Sequence, residues 1–135
     1  MFNSRALLAS TLAAVLAFAA AAPAKPSPEV PATIEVCSGN CPTGGVTLTV
    51  VSDDCINLTG GLSFLDKEIS QAIVPGGFVC TFFQDFGCIA SGTGNAPTNS
   101  EVVLTGGTWS LSHAPGLSGT INFNDLTSSI SCSPI

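Results

Sequence analysis

Positive charge is nearly absent from this 135-residue sequence: three Lys and Arg stand against nine Asp and Glu. Beyond residue 32 the single cation is Lys67, against Glu35, Asp53, Asp54, Asp66, Glu68, Asp85, Glu101 and Asp125, a net charge of −7. Phosphate recognition needs clustered Lys or Arg, so nucleic acid and anionic lipid are excluded as partners. Histidine is as scarce. With His113 alone and no Cys-x2-Cys pair, a zinc site would need four thiolates at odd spacings. No Gly-x-Ser-x-Gly elbow is present, and Leu111, Ala114 and Pro115 give His113 no local orienting acid. Asp53-Asp54 or Asp85 could supply a carboxylate pair, but adjacent acids in a polar loop read as a solvated turn. The expectation is a protein that is not an enzyme, a hydrolase being the catalytic alternative.

Long apolar runs are also missing after the start of the chain. The one that exists, Ala6 to Ala22, follows Arg5 and carries no charge. Small-residue cleavage sites follow at Ala19-Ala20-Ala21 or Ala22-Pro23-Ala24, the order of a secretory signal peptide. The run falls short of the ~20 residues of a membrane span. Residues 1–21 are therefore expected to be removed on export, with no membrane insertion afterwards. Residues 22–32 hold Pro23, Pro26, Pro28 and Pro31, and read as an extended linker or pro-segment. One small domain, 33–135, remains.

Six cysteines are present, all in that domain: Cys37, Cys41, Cys55, Cys80, Cys88 and Cys132. An even count in a small exported chain implies a disulfide framework, with 15 connectivities open. The periodicity is that of strands. Val46-Thr47-Leu48-Thr49-Val50 alternates strictly, and Thr33–Val36, Phe78–Phe83, Glu101–Thr105, Trp109–Ser112 and Thr120–Phe123 are strand-like. Gly44-Gly45, Gly60-Gly61, Pro75-Gly76-Gly77, Gly106-Gly107 and Pro115-Gly116 punctuate them. Only Ser63–Ile73 looks helical. A weak internal repeat pairs Val36-Cys37 with Val79-Cys80, and Asp66…Ser70 with Asp125…Ser129. Two tandem β motifs packed face to face would form a sandwich.

Phe123-Asn124-Asp125-Leu126-Thr127-Ser128-Ser129 resembles the βγ-crystallin Greek-key loop, which reads Asn/Asp, Asn/Asp, two variable residues, Ser/Thr, Ser. Cys55-Ile56-Asn57-Leu58 and Cys80-Thr81-Phe82-Phe83-Gln84-Asp85-Phe86-Gly87-Cys88 extend the likeness to small secreted fungal cysteine-rich proteins of βγ-crystallin-like build. The resemblance implies an all-β, disulfide-stapled sandwich of two intercalated Greek keys. It also implies a calcium site, the one cofactor it brings, with Asn124, the Leu126 carbonyl and Ser128 as ligands and Asp66 added by the other half. Ordinary alternatives are an Asx-turn at Asn124-Asp125 and serines that cap or pair in a strand. In the first half, Leu65–Ser70 places Ile69 where a hydroxyl is wanted, and Lys67 argues against a second tight site; Trp109–Pro115 has no evident counterpart. A Greek key sets its fourth strand beside its first, which would pair Cys80 with Cys132. Cys41 with Cys55 and Cys37 with Cys88 then complete the expected set.

Asn57-Leu58-Thr59 is the one glycosylation sequon of the domain. The phenylalanines between Cys80 and Cys88, like Trp109, are expected mainly in the core, with an exposed binding patch as the alternative. The leading functional expectation is a secreted fungal protein that binds an extracellular protein or wall component, as an effector directed at a host or competitor. Rivals are a structural or calcium-binding wall or spore module, and a protease inhibitor or killer-toxin-like protein using Ala90–Ser100 as its loop.

Overall fold

The computed structural model describes residues 31–91 and 99–135. The expected signal peptide, nearly all of the linker and most of the proposed inhibitory loop lie outside them. Among the described residues eight strands are present: β1 (Ala32–Cys37), β2 (Gly45–Val50), β3 (Cys55–Asn57), β4 (Gln71–Phe83), β5 (Glu101–Ser110), β6 (Ala114–Gly116), β7 (Gly119–Ile121) and β8 (Ser129–Pro134). All pairings are antiparallel. The helix-like stretch resolves into a 3₁₀ turn over Gly60–Leu65, and Gln71–Ile73 belongs to β4. No helix among the described residues is long and apolar enough to cross a membrane.

Two long strands serve both layers of the sandwich. In one layer the order is β2, β1, the start of β4 (71–74), the end of β5 (107–110). In the other it is the start of β5 (101–105), the end of β4 (78–83), β8, β3. Each key thus lends its third strand to the opposite layer, which is the intercalation expected of paired Greek keys. Pro75-Gly76-Gly77 and Gly106-Gly107 are bends within strands rather than breaks between them. The β4–β5 register shifts between Val74 and Val79, as a bulge requires. A side chain on Gly106 would lie 2.9 Å from the Gly76 Cα, so only glycine lets the backbones cross there.

Alternation places the core as the sequence expects. Leu48 and Val50 point inward from β2 while Thr47 and Thr49 face water. They join Ile34, Val36, Phe82, Leu104, Ile130, Leu65 and Phe123 in one cluster fed by both layers. Phe82 and Phe83 are buried, whereas Phe86 is half exposed. Trp109 is partly buried against the cluster, and its indole N–H donates to the Thr105 carbonyl at 2.7 Å.

The disulfides are Cys37–Cys41, Cys55–Cys88 and Cys80–Cys132. Cys80 and Cys132 stand directly opposite in the β4–β8 ladder. The other two expected pairs, Cys41–Cys55 and Cys37–Cys88, are not formed. Cys37 ends β1 and Cys41, four positions on, lies in the turn to β2, so the bridge closes a short local loop. Cys55 opens β3 in the opposite layer beside β8, where the segment after β4 delivers Cys88.

Candidate functional site

Two arches, 66–71 and 124–129, lead into the last strand of each key and meet back to back. Three matched pairs of backbone bonds relate them. Lys67 N–H donates to the Thr127 carbonyl at 2.9 Å and Asp125 N–H to the Ile69 carbonyl at 3.2 Å. Ser70 N–H donates to Cys37 and Ser128 N–H to Phe83, both at 2.8 Å. Leu111 N–H donates to Ser70 and Leu58 N–H to Ser128, both at 2.9 Å. Lys67 therefore corresponds to Asp125, Ile69 to Thr127 and Ser70 to Ser128. Both Lys67 (φ +60°) and Asp125 (φ +58°) adopt the left-handed conformation, uncommon enough outside glycine to mark a shaped turn.

This correspondence corrects the sequence alignment by one residue. The first-half motif is Asp66-Lys67-Glu68-Ile69-Ser70-Gln71, with Ser70 as its hydroxyl, and Ile69 is simply a core residue. Cys37 likewise matches Phe83 rather than Cys80, which is why the cysteines misled the pairing. The 107–110 end of β5 matches β3, so Trp109 does have a counterpart, Ile56.

Of the four residues expected to ligate a metal, Ser128 and Asp66 are bonded to each other, and the Leu126 carbonyl is held by Lys67. Ser128 Oγ donates to Asp66 Oδ1 at 2.5 Å. Lys67 Nζ donates to the Gln84 carbonyl and, at 2.8 Å, to the Leu126 carbonyl. The Asn124 backbone N–H donates to Asn122 Oδ1 at 3.0 Å, an Asx-turn that starts two residues before the expected one. Ser129 serves the neighbouring loop, its hydroxyl donating to the Asp85 carbonyl at 2.6 Å and accepting from Cys88 N–H at 2.9 Å. Neither Lys67 as a participant nor the Gln84 carbonyl was foreseen. The signal available was that the domain's one cation sits inside a cation-binding motif.

Against solved structures, the chain is similar to the N-terminal domain of protein S, with a TM-score of 0.53 at 18% identity over 77% of this chain and 98% of that one. It is also similar to a mutant of a βγ-crystallin domain from Clostridium beijerinckii, with a TM-score of 0.50 at 11% identity over 76% of this chain and 98% of that one. The fold is that of a βγ-crystallin domain. No protein-family model matches the sequence, and a search of curated proteins finds no match.

Within this βγ-crystallin fold, the residues present do not fit the calcium ion that the resemblance implies. Calcium takes ~6–8 oxygens at about 2.3–2.6 Å. Here the Leu126 and Gln84 carbonyls already accept from an ammonium group, which an approaching dication would have to displace against like charge. In the other arch, Ser70 Oγ donates to the Ser38 carbonyl at 3.1 Å, and no lysine reaches in: its equivalent is the exposed Asp125.

Elsewhere, Glu35, Cys37 and Cys41 lie close together, but both sulfurs are spent on a disulfide. His113 is exposed, with Nδ1 2.8 Å from Ser112 Oγ, which lies 2.9 Å from Ser110 Oγ. Asp53 and Asp54 sit exposed on a turn, Asp53 Oδ1 accepting from the Ser133 hydroxyl. Asn57 is exposed on β3, its Oδ1 accepting from Gly87 N–H at 2.6 Å.

Proposed function

We propose that this chain is an exported, non-catalytic fungal protein that acts outside the cell by binding a foreign protein or wall component, as a host- or competitor-directed effector. One observation carries the reading: all six cysteines are oxidised in pairs, with no free thiol among the described residues. Such frameworks persist in oxidising compartments and protect small domains there. The signal-like start and the scarcity of cations support the same reading. Phe86 and Ile89, half to two-thirds exposed beside the Cys55–Cys88 bridge, offer the apolar contact that such binding needs. Asn57 is exposed, as a glycan acceptor must be.

The test has two arms. Protein recovered from the medium of a secreting host is expected to begin after residue 21 and to lack free thiols; an intact Met1 or a cell-retained product overturns export. Labelled protein is then offered to wall preparations and foreign cells beside a reduced and alkylated control. Binding lost in the control and weakened by Phe86→Ser with Ile89→Ser is expected, and equal binding by both forms overturns the reading. A structural wall or spore module rests on the same fold. It would remain in the producer's wall fraction instead of the medium.

A further inference from the structure

We propose that Lys67 is the resident cation of this domain: its ammonium fills the position between the Gln84 and Leu126 carbonyls, and it conceals a divalent-cation site that one substitution uncovers. The inference uses only the folded domain and stands whether or not the secreted-binder reading holds. Three donors on an ammonium suit a set of carbonyls well. Two are engaged here by carbonyls from different segments, one following β4 and one in the second arch. A separate bond, Ser128 Oγ to Asp66 Oδ1, ties the two arches to each other. Two carbonyls from two segments are thus drawn to one positive charge, which the chain supplies covalently. The left-handed backbone at Lys67 supports this role, because a long side chain is held in a conformation that Asn or Gly adopts more readily. Its arch therefore closes at any calcium concentration.

The test compares wild type with Lys67→Asn and Lys67→Met. Asn tolerates the backbone and frees the carbonyls, whereas Met removes the charge but leaves a stem in the space. Calorimetric titration with calcium chloride is expected to find one more calcium per chain in Lys67→Asn than in wild type, whatever wild type binds at its other arch. With about 10 mM calcium and a dissociation constant near 1 mM, the Lys67→Asn melting temperature should rise by roughly 5–10 °C over its value in EDTA, beyond any rise in wild type. Lys67→Met should melt lower than wild type and gain no extra ion. Equal stoichiometry in wild type and Lys67→Asn overturns the proposal. Should Lys67→Asn not fold, amide NMR of the wild type decides: unmoved Gln84, Leu126 and Ser128 resonances in calcium support the proposal, and their titration contradicts it.

Discussion

The two arches share a backbone and differ in what they do with it. Each opens on a fully buried residue, Leu65 or Phe123, turns through a left-handed residue and ends on a serine that bonds the first strand of its key. At the left-handed position one carries Lys67, which reaches into a set of carbonyls. The other carries Asp125, exposed to water. Two positions on, Ile69 fills the core, whereas Thr127 is buried with an unpartnered hydroxyl. The ladder that shapes the arches is therefore backbone work, while side chains decide whether a cation of the chain's own reaches across the arch.

That comparison can be broken most forcefully at the buried openings. Phe123→Ala is expected to cost about 3–5 kcal/mol and Leu65→Ala about 2–5 kcal/mol, read from urea midpoints. A loss confined to one of them would mean the two arches are not equivalent parts of one core. Next in size, Lys67→Met should lose about 2 kcal/mol, the scale of a hydrogen bond to a charged group, while Asp125→Asn stays within about 0.5 kcal/mol. Equal effects would erase the asymmetry. Thr127→Val should stabilise by about 1 kcal/mol, because the methyl group ends an unmet desolvation cost. Smallest is Asp125→Gly, expected to gain about 0.5 kcal/mol from relief of the left-handed backbone. Lys67→Gly enjoys the same relief, yet should still melt below wild type because the cation is gone.

Much of this architecture is legible in the sequence. Strict alternation in β2 announces its two faces, and Asn124–Ser129 announces the second arch. The first arch is harder to read, because Lys67 and Ile69 replace the polar residues that mark the motif and the alignment slips by one position. The cysteines mislead for a physical reason. Cys80 and Cys132 face each other across a ladder, whereas Cys37 at the end of β1 bonds Cys41 in the turn that follows, so the bridges do not follow the repeat. The Gln84 carbonyl was invisible altogether, since a backbone oxygen leaves no signature in residue type.

The central claim is that a lysine stands where the fold would otherwise hold a metal. Wild-type crystals grown with about 10 mM calcium, above the 0.1–1 mM range of extracellular calcium modules, test it most directly by anomalous scattering. The account predicts Lys67 Nζ between the Gln84 and Leu126 carbonyls, with no anomalous peak there. A calcium peak bonded to both carbonyls, with Lys67 swung away, would contradict it.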